Sequence, residues 1–176
     1  AFSPLSCIVY KPAENISLYG SYTRSFKPVI GRESSLNPET DRLDFGDPFQ
    51  PERGTQYEVG VKADLLDNRL STTLALFHLE RTNVIEEGAN SPIGSQQTGK
   101  QRSQGVEVSV AGEITPEWNI IASYAYTDAI ISEDDVFTEG NSLRNVPKHA
   151  ASLWTTYQIK SGNLRGLGLG LGLYYV

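Results

Sequence analysis

Residues 55–66 read TQYEVGVKADLL. Tyr57, Val59, Val61, Ala63 and Leu65 share one parity; Gln56, Glu58, Gly60, Lys62 and Asp64 share the other. Successive side chains of a strand point to opposite faces, so this pattern is a strand with one apolar and one polar side. It recurs along the chain. In RSQGVEVSVAGE, Val106, Val108 and Val110 oppose Glu107, Ser109 and Ala111. In WNIIASYAYTDA, Trp118, Ile120, Ala122, Tyr124 and Tyr126 oppose Asn119, Ile121, Ser123, Ala125 and Thr127. In AASLWTTYQI, Ala151, Leu153, Thr155, Tyr157 and Ile159 oppose Ser152, Trp154, Thr156 and Gln158.

The spacing predicts strands over 5–11, 16–26, 55–66, 70–83, 101–113, 118–130, 147–160 and 167–176. Every tyrosine falls inside them. Parity stays open for 5–11 and 70–83, where LALFHLER admits either Leu74 and Leu76 or Phe77 and Leu79 on the apolar side.

The connections carry the stronger signal. PAEN (12–15), DNR (67–69), ITPE (114–117) and SGNLRG (161–166) are short and rich in turn residues. Long polar segments at 27–54, 84–100 and 131–146 alternate with them. A transmembrane β-barrel has this order, with short periplasmic turns and long outer loops. In lipid every backbone N–H and C=O needs a partner, so only helices and closed barrels span. A strand crosses in about 9–11 tilted residues.

Composition excludes other classes. No apolar run reaches the ~18 residues of a spanning helix, and a hydrophobic share of 39% fits strands with only one lipid-facing side. A net charge of −6 argues against nucleic acid. Cys7 is the single cysteine, so no internal disulfide forms. The start AFSPLSCIVY has no basic n-region or cleavage site, so no signal peptide is expected in it. Without methionine, the numbering is expected to begin inside a longer protein or after processing.

No enzyme signature emerges. GLGLGLGLYYV (166–176) repeats glycine every second residue, unlike the GxGxxG phosphate loop. Cys7, His78 and His149 lack ligand spacing, and no Gly-x-Ser-x-Gly elbow occurs. Asp41, Asp44 and Asp47, and the run SEDDVFTEG (132–140), lack EF-hand spacing and are expected to be solvated loop.

A barrel divides the strand residues in two. Tyr57, Val59, Val61, Val106, Val108, Val110, Ile120, Tyr124, Leu153, Leu169 and Leu171 are expected to face lipid. Gln56, Glu58, Lys62, Asp64, Glu107, Ser123 and Thr127 are expected to face the lumen, as ordinary polar lining, a solute path or a surface holding a plug. Trp118, Tyr22, Phe26 and Tyr175 are placed for interfacial girdles or for ordinary packing. In the last strand, Gly168, Gly170 and Gly172 leave the lumen side bare for a plug or a neighbouring wall to approach.

LYGSYTRSFKP (18–28), PERGTQYEVGVKADLLDNRLSTTLALFHLERTNV (51–84), QTGKQRSQGVEVSVAGEITPEWNIIASYAYTDA (97–129) and GNSLRNVPKHAASLWTTY (140–157) resemble the TonB-dependent siderophore receptors of Gram-negative outer membranes. The ferrichrome and hydroxamate branch is the nearest in look, and the order matches from about residue 3 onward. The resemblance implies a 22-stranded antiparallel transmembrane barrel around an N-terminal plug, of which residues 1–176 carry about eight strands, with the plug and C-terminal strands absent. It implies ferric siderophore as the transported ligand, no covalent cofactor, energy from the TonB–ExbB–ExbD complex through the plug, and contact with outer-membrane lipid and lipopolysaccharide. It implies no catalysis. Arg24-Ser25-Phe26, Glu52, Glu58, Gly60, Arg102-Ser103, Gly105, Glu107 and Pro147 match as markers of the barrel.

Two other architectures make different predictions. A complete eight-stranded outer-membrane barrel with a structural or adhesion role would pair strand 5–11 with strand 167–176. A soluble β-sandwich binding carbohydrate would bury its valines between two sheets. For the receptor segment, the chain is expected to stop at Val176 inside the wall, with its next loop and partner strand beyond.

Overall fold

Strands form wherever the two parities differ in polarity. The computed structural model describes residues 2–37, 39–87, 95–133 and 140–176. Its strands are β1 (Leu5–Ala13), β2 (Ile16–Lys27), β3 (Arg32–Asn37), β4 (Arg42–Pro48), β5 (Glu52–Leu65), β6 (Leu70–Glu87), β7 (Ser95–Thr115), β8 (Trp118–Glu133), β9 (His149–Gln158) and β10 (Gly168–Tyr175). Each of the eight expected strands is present.

β1, β2 and β5–β10 form one antiparallel sheet in sequence order, and β3 and β4 form a separate hairpin. The turns β1–β2, β5–β6, β7–β8 and β9–β10 lie at one end, called here the lower end. The long connections lie at the upper end. At the β5–β6 turn Leu66, Asp67 and Asn68 all take positive φ, and the Arg69 amide donates to the Leu66 carbonyl at 3.3 Å. Gly112, with φ of 140°, sits where a β-carbon would stand 2.0 Å from the Arg69 carbonyl oxygen.

β1 and β10 are the two edges of the sheet, unpaired with each other. The wall is open, as a segment of a larger barrel requires, and not the self-closed eight-stranded barrel. Among the described residues no second large sheet covers either face, which excludes a sandwich. Among the described residues, the buried apolar side chains are only Ala75, Val84 and Ala129. A sheet with so small a core is completed by what lies against its two faces.

The structure departs from the sequence reading in its upper half. β6 and β7 run through much of the segment 84–100 expected as loop. The expected loop 27–54 contains the β3–β4 hairpin, closed by Asn37, whose side-chain oxygen accepts from the amides of Glu39 at 3.0 Å and Thr40 at 3.3 Å. Above a membrane both faces of a strand meet water, so the apolar alternation that reveals strands disappears. The strand expected over 147–160 is shorter, at 149–158.

Candidate functional site

Cross-strand partners in an antiparallel pair share a face, so the register assigns every residue. Tyr57 pairs with Tyr22 and His78, Val59 with Gly20 and Leu76, and Val61 with Leu18 and Leu74. Leu74 continues to Val108, Val108 to Tyr124, and Tyr124 to Ala151 and Tyr175. Val106, Val110, Ile120, Leu153, Leu169 and Leu171 fall on the same face. The parity left open in 70–83 resolves with Leu74 and Leu76 here, and in β1 this face takes Ser6, Ile8 and Tyr10.

The opposite face carries Gln56, Glu58, Lys62 and Asp64 on β5, Glu107 on β7, and Ser123 and Thr127 on β8. The residues expected to be separated by the barrel wall are on opposite sides of the sheet. They do not all meet. Asp64 lies at the lower end, where its amide donates to the Asn15 carbonyl at 2.9 Å. Thr127 lies higher, its amide bonded to the Lys148 carbonyl at 2.9 Å.

Between them, Tyr19, Glu58, Lys62, Glu107, Ser109, Ser123 and their neighbours line a shallow concavity of about 490 Å³. Tyr19 donates its hydroxyl to Glu58 Oε1 at 2.7 Å, and Gln56 Nε2 donates to Glu58 Oε2 at 3.1 Å. Both carboxylate oxygens are therefore held. Lys62 Nζ stands 5.3 Å from the centre of the Tyr19 ring, within cation–π range. Ser123 and Ser152 hydroxyls share a hydrogen bond of 2.8 Å. Glu107 is exposed and has no hydrogen bond or ion pair among the described residues. The wall therefore has fixed acceptors and one unengaged carboxylate. This suits docking of a cationic or hydrogen-bonding surface, and it has no nucleophile–base pair.

Sequence reasoning missed one feature of this face. Large rings lie across glycines of the next strand. The Tyr19 ring covers Gly60, where a β-carbon would meet it at 2.5 Å. Phe77 covers Gly105 at 3.0 Å, and Trp154 covers Gly170 at 3.4 Å and Gly172 at 2.9 Å by the same measure. Gly170 and Gly172 are thus seats for an indole of the adjacent strand. Only the register exposes these pairs.

At the upper end, the same face holds an ion cluster. Glu52 is the one buried charged residue among those described, at 8% exposure. Arg81 Nη2 reaches its Oε2 at 3.0 Å and Lys27 Nζ its Oε1 at 3.5 Å. Arg81 Nη1 also donates to Gln101 Oε1 at 3.2 Å. On the other face, His78 Nε2 lies 3.1 Å from Glu80 and Arg102 lies 3.6 Å from Asp128. His149 Nδ1 meets the Tyr124 hydroxyl at 2.9 Å. Asp44 accepts from Asn37 Nδ2 at 3.0 Å, and among the described residues no three His, Cys, Asp or Glu side chains gather as a metal site. Residues 134–139 of the acidic run lie outside the described residues.

An open antiparallel wall with opposed apolar and polar faces, short turns at one end and long connections at the other defines a barrel segment. The family model described as TonB dependent receptor-like, beta-barrel matches residues 1–176. The chain belongs to that family, whose members are transport receptors of Gram-negative outer membranes. It is 38% identical over 176 residues to the metal-pseudopaline receptor CntO of Pseudomonas aeruginosa, covering 100% of this chain and 23% of that one. It is 35% identical over 162 residues to the ferrichrome outer membrane transporter/phage receptor of Escherichia coli K12, covering 91% of this chain and 20% of that one. The crystal structure of the siderophore receptor PiuA from Acinetobacter baumannii superposes with a TM-score of 0.70 at 34% identity, over 88% of this chain and 23% of that one. The chain thus spans between a fifth and a quarter of the length of these relatives.

Proposed function

We propose that the chain is a wall segment of an outer-membrane receptor that imports ferric siderophores with energy relayed by TonB. The observation that carries this reading is the register, which puts Tyr57, Val59, Val61, Leu74, Leu76, Val106, Val108 and Val110 on one face of the sheet and Gln56, Glu58, Lys62, Glu107, Ser109 and Ser123 on the other. The apolar face meets lipid. Trp118 and Tyr157, register partners at the lower end, and Tyr126 near the upper end bound it on adjacent strands. The eight residue steps from Trp118 to Tyr126 rise ~27 Å along a strand, or ~20 Å after a ~40° tilt, close to the ~25 Å apolar band of outer-membrane barrels. Outer-membrane lipid and lipopolysaccharide are the partners of this face.

The polar face lines the lumen. The length that the relatives have beyond this segment supplies an N-terminal plug and the remaining strands. Glu107, and the fixed carboxylate of Glu58, present negative charge to cationic side chains of that plug. The TonB–ExbB–ExbD complex acts through the plug. The upper connections, which include the β3–β4 hairpin, face outside and help capture the chelate. Two of the relatives are named for ferrichrome and metal–pseudopaline, which supports a metal chelate as the ligand.

The test is uptake of radioactive iron by cells whose only siderophore receptor is the full-length protein. Ferric hydroxamate, ferric carboxylate or ferric catecholate chelates are expected to enter only when TonB is intact. Uptake that ignores TonB, or no uptake with any of the three, contradicts the reading.

A further inference from the structure

We propose that the side chain of Gln97 is a latch that holds the β3–β4 hairpin folded over the polar face of the upper wall, and that its release lets a ferric chelate reach that face. The proposal rests on the transport reading above and adds a moving part to it. The latch joins β5, β6 and β7, which are interior strands of the sheet, so its surroundings do not depend on the edges β1 and β10.

Two slips of register build the latch. The β6–β7 ladder shifts between Arg81 and Val84 and again between Val84 and Ile85. Asn83 lies in the first slip with a φ of 59°, a conformation that asparagine tolerates better than most residues. A bulge re-aims the side chains beside it. Here Gln97 of β7 reaches past β6 to the residues that lead into β5. The Gln50 amide donates to Gln97 Oε1 at 2.6 Å. Gln97 Nε2 donates to the Gln50 carbonyl and, at 2.9 Å, to the Asn83 carbonyl. Asn83 Nδ2 donates to the Pro51 carbonyl at 3.1 Å. One carboxamide thus gives Gln50 both bonds that a neighbouring strand would give it.

Gln50 directly follows the root of the hairpin. The Phe49 amide closes that root on the Gly31 carbonyl at 3.1 Å. From there β3 packs against β7. Val84 and its register partner Gly99 are buried. Gly99 has the parity of Gln101 and Glu107, so the covered side is the polar face. Glu52, on the same face, is 8% exposed, whereas Glu107 lower down is exposed. Among the described residues no backbone ladder joins the hairpin to the main sheet. The hydrogen bonds of one side chain therefore set where the hairpin sits.

The experiment puts spin labels at Thr40→Cys, in the hairpin turn, and at Arg144→Cys, at the upper end of the wall. The full-length receptor has its native cysteines, Cys7 included, replaced by Ser. Double electron–electron resonance without ligand is expected to give one narrow distance. Gln97→Ala is expected to spread it and to deplete the latched distance about tenfold, the effect of losing two or three ordinary hydrogen bonds. Stopped-flow association is then measured with whichever ferric hydroxamate, carboxylate or catecholate chelate enters cells. It is expected to be about tenfold faster in Gln97→Ala, because the rate follows the population of the open form. Gln104→Ala, on the other face of β7, is expected to match wild type in both readings.

An unchanged distance in Gln97→Ala, or an equal effect of Gln104→Ala, overturns the latch. A spread distance with unchanged association overturns its control of entry. If Gln97→Ala does not fold, as judged by a heat-modifiable band, Gln97→Glu carries the same comparison, since it keeps the acceptor and loses both donors. The distance measurement needs no ligand. A receptor whose hairpin is released by Gln97→Ala but that binds none of the three chelates would sink the transport reading and leave the latch standing.

Discussion

The indole of Trp154 on β9 lies across Gly172 on β10, so close that a β-carbon on the glycine would stand 2.9 Å from Cε3. The alternation of leucine and glycine that ends the chain thus has a local cause. The leucines make one face, and the glycines make room on the other for a ring from the neighbouring strand. Gly172→Val is expected to displace the indole and cost about 1–3 kcal/mol, as overpacking does. Gly168→Val is the control, because nothing lies within 4 Å of a β-carbon there. Urea unfolding of the full-length receptor, followed by tryptophan emission, checks the pair. Equal midpoints for both variants would remove the packing role.

Gly112 has a stricter requirement. Its φ is 140°, and an added β-carbon would stand 2.0 Å from a backbone oxygen, that of Arg69. A backbone atom cannot swing aside as the Trp154 ring can. Gly112→Ala is expected to cost about 3 kcal/mol or more, through strain and a broken β5–β6 turn. The measurement is the fraction of receptor that migrates as a folded, heat-modifiable barrel. Wild-type folding would contradict the geometry.

Glu52 ties β2, β5 and β6 together at the upper end of the sheet. It accepts from Arg81 at 3.0 Å and faces Lys27 at 3.5 Å, while its own side chain is only 10% exposed. Glu52→Ala leaves two cations without their carboxylate and is expected to cost about 2–3 kcal/mol, given the exposed partners. Adding Arg81→Ala is expected to recover part of that loss, with a coupling of about 0.5–3 kcal/mol. A double-mutant cycle on urea midpoints reads it, and strict additivity would show that the ion pair contributes nothing.

The strands and their two faces were legible because one parity is apolar and the other polar over long runs, as in Val106, Val108 and Val110 against Glu107. On the proposed faces, exchanging them would move charge into lipid. The parity of 70–83 was not legible, since Leu74, Leu76, Phe77 and Leu79 make both sides apolar. The register places Phe77 on the polar side opposite Gly105, where a β-carbon would meet the Tyr126 backbone oxygen at 1.9 Å and the Phe77 ring at 3.0 Å. Such ring-over-glycine pairs join residues distant in sequence, so no local pattern announces them. The upper halves of β6 and β7, and the β3–β4 hairpin, were hidden for another reason. On the proposed topology these segments stand above the membrane with water on both sides, where there is no polarity difference to print on the sequence. The Glu52 cluster unites residues 27, 52 and 81 and is visible only once β2, β5 and β6 are aligned.

The central claim is that the valine face meets lipid and the glutamate face meets the lumen. It is tested most directly by placing arginine at two adjacent positions of β7 in the full-length receptor, Val108→Arg and Ser109→Arg, and measuring folding into bilayers by urea titration. Val108→Arg is expected to cost about 2–4 kcal/mol, the price of a cation near the bilayer midplane, while Ser109→Arg stays within about 1 kcal/mol of wild type. Equal costs, or a larger cost for Ser109→Arg, would contradict the assignment of the two faces.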